Sequence, residues 1–297
     1  MNISEEITKR ASDIETRIKG FLPEQYEYQK TIVDAMSYSV LAGGKRLRPM
    51  LMEASYQMFG GEGEELDAFM AAIEMIHTYS LVHDDLPAMD NDLYRRGKKT
   101  THAVYGEAMG VLAGDALLNF AFETVADAMV RSAGDMRVAK AFAILAKKAG
   151  IYGMIGGQVV DVESEKKGQQ IDRDCLDFIY RLKTGALIEA SLMIGAILAG
   201  ASEEEVSLME EAGTKLGLAF QIQDDILDVT SSLEVLGKPI GSDARNEKAT
   251  YVAFEGLEKA GAEVECLSRE AVAILDGFKR EHTFLRELFM YLIHRDR

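Results

Sequence analysis

Apolar residues recur at helical spacing along most of the chain. Leu66, Phe69, Ile73 and Ile76 follow one another at steps of three and four, which places them on one face of a helix. The segment 178–199 is apolar almost throughout and predicts a buried helix. Signals for strands are weak, because alternating polar and apolar residues occur only in short runs. The pattern predicts an all-α protein with ten or more helices.

Breaks in this pattern predict where the helices end. Only four prolines occur in 297 residues, and none lies between residues 88 and 238, which favours uninterrupted helices. Polar, glycine-containing segments predict loops at 60–64, 131–135, 164–174, 200–204 and 231–248. No low-complexity linker separates the halves of the chain. We therefore expect one helical domain over residues 1–297.

Composition and charge exclude several classes of protein. The chain is 47% hydrophobic and 28% charged, as expected of a folded globular protein. Its net charge of −16 at pH 7 argues against nucleic acid or an anionic membrane as the main partner. Two cysteines are too few for a disulfide framework, and no run of 18 uncharged apolar residues predicts a membrane span. The polar N-terminus does not resemble a signal peptide. We expect a cytoplasmic protein without stable membrane insertion.

The first acidic cluster is HDDLPAMDNDLYRRG, residues 83–97. Two carboxylates about 4 Å apart repel by roughly 4 kcal/mol at an effective dielectric of 20, so Asp84, Asp85 and Asp90 favour a bound cation. Oxygen ligands with open positions suit Mg²⁺, which takes its remaining ligands from water and phosphate. The loop lacks the glycine and final glutamate of an EF-hand. Pro87 predicts that a helix is distorted or ends here. By itself the cluster is equally compatible with a solvated acidic helix end.

The second acidic cluster is FQIQDDILDVT, residues 220–230. Asp224 and Asp228 are four residues apart and therefore share one face of a helix, with Asp225 beside them. Their neighbours are mostly apolar, and carboxylates in such a segment are costly unless a cation balances them. Two such clusters in one chain make a plain solvated surface a poor explanation.

Cations follow a glycine pair in AGGKRLRPM, residues 42–50. A flexible turn, a helix N-terminus and the charges of Lys45, Arg46 and Arg48 form a plausible diphosphate-binding segment. By itself this signal is weak, because glycine pairs before helices are common. Further candidates for diphosphate binding are Arg95, Arg96, Lys183, Lys238, Lys248 and His77. Taken one at a time, each lysine or arginine is more simply a surface cation, and the histidine a core residue.

Taken in order, these segments resemble a known family. The motifs GGKRLRP, HDDLPAMDND–RRG, LAGDALL, GGQVVD, KTGALI, FQIQDDILD and GKPIGSDARNEKATY are similar to those of bacterial short-chain trans-prenyltransferases of the polyprenyl synthetase family, and among them most similar to farnesyl-forming members. The resemblance covers about residues 35 to 255. It implies the all-helical isoprenoid-synthase fold, a single bundle around a deep central cavity with the two acidic motifs facing each other across its mouth.

The resemblance also implies roles for individual residues. The expected ligands of about three Mg²⁺ ions are Asp84, Asp85, Asp90, Asp224 and Asp228. The allylic diphosphate would contact Arg95, Lys183, Lys238 and, more weakly, Lys248. Isopentenyl diphosphate would contact Lys45, Arg48, His77 and Arg96. Oxygens pointing to the reacting carbon would come from Thr184 and Gln221. The family further implies a homodimer.

The residue types fit the chemistry that the resemblance implies. Breaking an allylic C–O bond produces a carbocation and a departing diphosphate, whose negative charge metals and Lys or Arg stabilise. Isopentenyl diphosphate then joins head to tail (1′–4) with dimethylallyl or geranyl diphosphate, giving farnesyl diphosphate. The departing diphosphate is the expected base, and apolar helix walls exclude water from the cation.

Product length in this family depends on the residues before the first acidic motif. Tyr79 precedes Asp84 by five residues, roughly 7.5 Å along a helix. A bulky ring at this depth is expected to stop the growing chain at C15, with the small Ser80 beside it. The same Tyr79 could also be an ordinary core tyrosine.

Alternatives remain at this stage. A geranylgeranyl (C20) synthase would share the metal motifs, and a terpene cyclase would lack GGKRLRP. A non-catalytic regulatory subunit would have lost aspartates that this chain retains, and a generic acidic metal-binding module would not explain the interleaved cations. One departure from bacterial relatives is Leu93-Tyr94 in place of a continued acidic run, which puts the position of Arg95 in question.

Overall fold

The computed structural model describes residues 2–24, 27–167, 171–230 and 250–293. These ranges contain fourteen α-helices, one π-helical segment and one short β-ribbon, which confirms the all-α prediction. In chain order the elements are α1 Ile3–Lys19, α2 Lys30–Val40, α3 Leu47–Met58, α4 Glu65–Asp84, β1 Tyr94–Arg95, β2 Lys98–Lys99, α5 Thr101–Tyr105, α6 Glu107–Arg131, α7 Met136–Ala149, α8 Met154–Lys167, α9 Arg173–Ile179, the π-helix Tyr180–Gly185, α10 Ala186–Leu198, α11 Glu203–Thr230, α12 Tyr251–Glu255, α13 Leu257–Asp276 and α14 Thr283–Ile293.

Most predicted breaks lie where helices end. Those at 60–64, 131–135 and 200–204 fall at the junctions α3–α4, α6–α7 and α10–α11. The predicted break at 164–174 begins too early, because α8 continues to Lys167. The segment 231–248 lies outside the described residues. The buried segment predicted at 178–199 is helical throughout, but its first part is a π-helix rather than an α-helix.

The β-ribbon was not predicted. β1 and β2 pair antiparallel, Tyr94 with Lys99 and Arg95 with Lys98. The two residues between the strands, Arg96 and Gly97, have φ of 53° and 75°. Positive φ at both central positions defines the turn type that suits a two-residue hairpin. An arginine at the first of these positions replaces the usual Asn or Asp, so the sequence carries only a weak hairpin signal.

The described residues divide into two compact units. Unit 1 comprises residues 1–53 and 62–139, and in it α4 packs against α1, α2 and α6. α4 is buried on nearly all sides, so its apolar face is wider than the stepping of Leu66, Phe69 and Ile73 alone indicates. α6 approaches α4 closely where Gly114 faces the ring of His83, because a Cβ at that position would collide with the imidazole.

Unit 2 comprises residues 54–61 and 140–297. Its centre is α11, which packs against α10, α13, α14 and the π-helix. α10 is completely buried. A Cβ on Gly217 of α11 would lie 2.7 Å from the Cα of Gly185, so this glycine allows α11 and the π-helix to touch backbone to backbone. Within the same unit, buried Glu189 is paired with Lys148 and accepts a hydrogen bond from Thr214 at 2.7 Å.

In the part of the chain that the structure describes, α6 alone is long and apolar enough for its composition to suit a membrane span. This is weak evidence, since core helices pass the same test. One side of α6 packs on α2 and α4, and polar residues including Asp115, Asn119, Glu123 and Asp127 lie on its exposed side. These features are those of a helix in a globular protein.

A buried ion pair holds the segment between α2 and α3. Arg46 donates to Glu74 at 2.7 Å, to Glu15 at 2.7 Å and to the carbonyl of Val40 at 2.7 Å. The side chains of Arg46 and Glu74 are 1% and 3% exposed. Arg46 also has a φ of 51°, a left-handed conformation that is unfavourable for a side-chain-bearing residue. The three contacts stabilise this conformation.

Replacing Arg46 with methionine is expected to destabilise the protein by about 3–5 kcal/mol, because Glu74 would remain buried without its partner. The measurement is the free energy of unfolding in urea. Lys30→Met is the matched control. It removes an exposed lysine from its pair with Asp34, where the expected cost is about 0–1 kcal/mol. Equal losses in the two variants would contradict a structural role for Arg46.

Candidate active site

The loop between α2 and α3 brings cations to the start of a helix. Gly43 and Gly44 have φ of 100° and 135°, which glycine tolerates without strain. Lys45 is exposed, and Arg48 lies in the first turn of α3. Arg46, which the sequence grouped with these cations, is instead committed to Glu74 and Glu15. The diphosphate-binding candidates of this segment are therefore Lys45 and Arg48.

Arg48 and His77 act on each other electrostatically. Burial lowers the pKa of Arg48 to about 10, with Glu74 opposing and Arg96 adding to that shift. The Nε of Arg48 is buried and has no hydrogen-bond partner among the described residues. Burial, followed by the charge of Arg48, lowers the pKa of His77 well below its usual 6.5. His77 is therefore neutral at pH 7 and can serve as a hydrogen-bonding group beside a retained positive charge.

Arg96 joins this group from the β-ribbon. Its Nη1 donates to the carbonyl of Gly43. A Cβ on Gly44 would lie 2.5 Å from the same nitrogen, so the glycine makes room for the guanidinium. Arg96 also contributes to the lowered pKa of His77. The structure thus brings together Arg48, His77 and Arg96, three of the four residues expected to bind isopentenyl diphosphate, with Lys45 on the loop that Arg96 contacts.

The first acidic motif lies at the end of α4 and in the turn that follows. α4 ends at Asp84, as Pro87 predicts. The amide of Asp90 donates to the carbonyl of Asp84 at 2.9 Å, which folds the turn back onto the helix end. Asp85 is buried and Asp90 is exposed. Burial raises the pKa of Asp85, and its hydrogen bond with Arg95 offsets part of that rise.

Arg95 is held by the acidic motif itself. Its Nε and Nη2 approach Asp85 Oδ1 at 2.7 and 2.6 Å. The ion pair raises the pKa of Arg95 even though burial acts in the opposite direction. Leu93 and Tyr94, the departure from the bacterial pattern, are 57% and 63% exposed. These two side chains leave Arg95 in contact with the aspartates.

Tyr79 is buried in α4, one and a half turns before Asp84. Its ring stands edge-on to that of His83, with centroids 5.8 Å apart at an interplanar angle of 78°. Burial, with a smaller effect of Asp84, raises its pKa to about 12. The hydroxyl has no hydrogen-bond partner in the described ranges. The neighbouring Ser80 donates to the carbonyl of His77 at 2.9 Å.

The second acidic motif occupies the last turns of α11 in unit 2. Asp225 is buried and accepts hydrogen bonds from the Tyr180 hydroxyl at 2.6 Å and the Tyr251 amide at 2.7 Å. Its carboxylate therefore links α11 to the π-helix and to α12. Asp228 is also buried, and Asp224 is half-buried on the same face of the helix. Asp224 and Asp228 are the two residues of this motif that the sequence predicts as metal ligands.

The π-helix Tyr180–Gly185 presents Lys183 and Thr184. Lys183 Nζ donates to Asp161 of α8 at 2.6 Å. The hydroxyl of Thr184 donates to Gln221 Oε1 at 2.9 Å, so these two predicted residues lie side by side. α8 approaches closely at Gly157, where a Cβ would collide with the backbone of Lys183. Wide helical turns of this kind occur often at functional sites.

The candidate ligands suit Mg²⁺ by their chemistry. All are carboxylate oxygens, which Mg²⁺ prefers, and it commonly binds through one or two of them plus phosphate oxygens. Within the described ranges no three His, Cys, Asp or Glu side chains lie close enough together to enclose a metal unaided. The predicted Lys238 and Lys248 lie outside the described residues.

Sequence reasoning missed several residues around these positions. Glu74 balances the cations of unit 1, Asp161 pairs with Lys183, and Tyr180 holds Asp225. Asp161 belongs to the GGQVVD motif, so for this residue the sequence did carry a signal of a functional position. The contacts of Glu74 and Tyr180 join helices distant in sequence and left no local pattern.

Comparisons with known proteins identify the family of the chain. The polyprenyl synthetase family model matches residues 29–282. A geranylgeranyl diphosphate synthase of Cyanophora paradoxa is 48% identical over 265 residues, 89% of this chain and 88% of that protein. The farnesyl diphosphate synthase of Escherichia coli K12 is 41% identical over 298 residues, 99% and 98% of the two chains. A crystal structure of geranyltransferase from Helicobacter pylori, complexed with magnesium and isoprenyl diphosphate, has a TM-score of 0.83 at 33% identity and covers 99% of this chain and 97% of its own.

The helical architecture is the isoprenoid-synthase fold, which the chain shares with the Helicobacter pylori geranyltransferase. The chain belongs to the polyprenyl synthetase family. It is a prenyltransferase that joins isopentenyl diphosphate to allylic diphosphates.

The neutral His77 predicts a loss of stability in acid. Its pKa is lower in the folded protein than the unfolded value near 6.5, so the unfolded chain binds the extra proton as the pH falls below 6.5. The contribution of His77 to the free energy of unfolding is therefore fully present above pH 6.5 and is lost as the pH falls below it. His77→Gln is expected to lose less stability than the wild type between pH 7.5 and pH 5.5, measured by urea unfolding.

His282→Gln is the control for this measurement. The hydrogen bond with Asp276 raises the pKa of His282 despite its partial burial, so this histidine contributes stability in acid. Its replacement should therefore not reduce the acid loss. An acid loss in His77→Gln as large as in the wild type would exclude His77 as its source.

Proposed function

We propose that this enzyme is a Mg²⁺-dependent farnesyl diphosphate synthase, condensing isopentenyl diphosphate with dimethylallyl and then geranyl diphosphate. The observation that carries the C15 product is Tyr79. Its ring is buried in α4, five residues before Asp84, about 7.5 Å along the helix axis. That distance corresponds to about one further isoprene unit, so a bulky ring there limits chain growth.

About three Mg²⁺ ions are proposed for the enzyme. The proposed ligands in unit 1 are Asp84, Asp85 and Asp90, and those in unit 2 are Asp224 and Asp228. When bound, the metal supplies positive charge that stabilises the departing diphosphate. Support comes from the donor set and from the similar Helicobacter pylori enzyme, whose crystal structure contains magnesium and isoprenyl diphosphate. Arg95 shares Asp85 with this proposed ligand set and already lies beside it at 2.6 Å.

The cations divide between the two substrates. We assign Lys45, Arg48, His77 and Arg96 to isopentenyl diphosphate. The last three lie together in unit 1, where the charges of Arg48 and Arg96 both lower the pKa of His77. Arg95, Lys183, Lys238 and Lys248 are assigned to the allylic diphosphate. Arg suits bidentate phosphate contacts and Lys a point charge.

The chain's own residues then act on the reacting carbon. Thr184 and Gln221 are hydrogen-bonded to each other at 2.9 Å and offer oxygen atoms to the allylic carbocation. In the proposed cycle the allylic C–O bond breaks, the alkene of isopentenyl diphosphate forms the new C–C bond, and a proton leaves to the released diphosphate. His77 is neutral at pH 7, so it is not assigned the role of a proton donor in this cycle.

A second candidate is geranylgeranyl diphosphate synthesis. The observation in its favour is the 48% identity with a protein of that name. A non-catalytic regulatory subunit is disfavoured, because both acidic motifs are complete in the sequence. Product analysis separates the two catalytic alternatives.

We further propose a cytoplasmic homodimer. Val104, Val111 and Leu112 are exposed apolar side chains on α5 and the first half of α6, and a second copy of the chain would remove them from water. Sedimentation at micromolar concentration tests this assembly.

Incubating the purified protein with Mg²⁺, isopentenyl diphosphate and each allylic starter should yield condensation products. Asp224→Asn is expected to lower kcat by roughly 10²–10³-fold, as loss of a group that stabilises transition-state charge does. Asp127→Asn, at an exposed position on α6, is the control and should match the wild type. Absence of condensation with every starter would refute the proposal.

Tyr79→Ala is expected to lengthen the main product from C15 to C20, because it removes the ring that stops the chain. Tyr79→Phe keeps the ring and removes a hydroxyl that has no partner among the described residues, so its product should stay C15. Products are identified by chromatography after dephosphorylation. An unchanged C15 profile in Tyr79→Ala would rule out Tyr79 as the length-limiting residue.

A further inference from the structure

The β-ribbon that carries Arg95 and Arg96 is too short to be stable by itself. Each strand has two residues, and most side chains from Asp90 to Lys99 are exposed. An isolated hairpin is marginal in water even when it is longer. The positions of the two arginines therefore depend on what fixes the ribbon to the rest of unit 1.

Hydrogen bonds at the base of the ribbon converge on Thr100. Its amide donates to the carbonyl of Leu93 at 3.0 Å, and its hydroxyl lies 2.7 Å from the carbonyl of Asp92. Thr100 is 3% exposed, in contrast to the ribbon that precedes it. On the other edge, the Tyr38 hydroxyl donates to the carbonyl of Lys99 at 2.6 Å. The ribbon is thus closed at a buried base.

His102 completes this base from α5. Its Nδ1 lies 3.1 Å from the Thr100 hydroxyl, and the residue is buried. A threonine hydroxyl has one proton, and here it is donated to the carbonyl of Asp92. The hydroxyl must therefore accept from His102, which places a proton on Nδ1. Nε2 has no hydrogen-bond partner in the described part of the chain, so the ring acts through Nδ1 alone.

The base is in turn held by a long helix. His102 packs against Gly110 of α6, where an added Cβ would lie 3.1 Å from the His102 Cβ and 2.9 Å from a methyl group of Leu86. Leu86 belongs to the first acidic motif. The hydrogen-bonded chain from His102 through Thr100 to Asp92 therefore links α6 to the beginning of the ribbon, next to the aspartates.

We propose that Thr100 and His102 are positioning residues, which hold the ribbon so that Arg95 meets Asp85 and Arg96 meets the Gly43–Gly44 loop. Neither side chain is assigned to a substrate. The inference rests on the proposed roles of Arg95 and Arg96 at the two diphosphates. A displaced ribbon would weaken binding of both substrates together, whereas loss of either arginine would affect mainly one.

The first test replaces Thr100. Thr100→Val keeps the shape and removes the hydroxyl, and it is expected to raise KM for both substrates about tenfold, as loss of one buried hydrogen bond allows. Thr100→Ser restores the hydroxyl and should recover most of this loss. Thr124→Val is the matched control, since the buried Thr124 hydroxyl donates to the carbonyl of Phe120 in its own helix at 2.8 Å. It should lower stability without changing either KM.

The second test replaces His102 with Asn or Gln, whose side-chain amides each mimic one of the two imidazole nitrogens. Asn places an N–H near the position of Nδ1, and Gln places one near that of Nε2. His102→Asn should therefore keep KM within about threefold of the wild type, whereas His102→Gln should raise it as Thr100→Val does. Equal KM values in the two variants, or a better result with Gln, would overturn the proposed proton position and the role built on it.

Hydrogen–deuterium exchange provides a readout that needs no turnover. Amides of residues 93–99 should exchange faster in Thr100→Val than in the wild type. Their exchange rates in Thr124→Val should equal those of the wild type. If the wild type shows no condensation, the proposed function fails, and this exchange still decides whether Thr100 anchors the ribbon. If condensation occurs while exchange and both KM values are unchanged in Thr100→Val, the positioning role is refuted and the function stands.

Discussion

Unit 1 must hold guanidinium groups close together although they repel one another. The charges of Arg46, Arg48 and Arg96 all act on His77, and each would lower its pKa alone. Glu74 is the carboxylate that makes the arrangement possible, because it pairs directly with Arg46. Its charge also opposes the lowering of the pKa of Arg48 and of Arg96 by burial. The left-handed backbone at Arg46 and the loop before α3 depend on this buried charge.

Two cations assigned to the allylic diphosphate are already paired with carboxylates, Arg95 with Asp85 and Lys183 with Asp161. Under the proposed function, a phosphate group that binds Arg95 would compete with Asp85, one that binds Lys183 would compete with Asp161, and Mg²⁺ would compete with Arg95 for Asp85. Under the proposed function, binding exchanges one set of ion pairs for another. Such an exchange avoids leaving a bare charge in a partly buried site, which would be far more costly.

The sequence predicts the helices and acidic motifs well because both depend on local spacing. α4 and α10 follow from apolar residues, and the end of α4 follows from Pro87. The resemblance implies that Thr184 and Gln221 point oxygens toward the reacting carbon, but it did not predict the hydrogen bond of 2.9 Å between them. The β-ribbon gives only a weak sequence signal, because Arg96 stands where a two-residue hairpin turn usually has Asn or Asp. The π-helix and the role of Glu74 could not be predicted, since their contacts join segments distant in sequence.

Relatives alone do not identify the product. The chain is 48% identical to a geranylgeranyl synthase and 41% identical to a farnesyl synthase, over 89% and 99% of its length. Under the proposed function, product length depends instead on the ring of Tyr79. Tyr79 has no hydrogen bond to hold its hydroxyl among the described residues and stands edge-on to His83. A ring held by packing can be exchanged without breaking a polar network. Under the proposed function, exchange of this one ring would change product length and leave the charged groups in place.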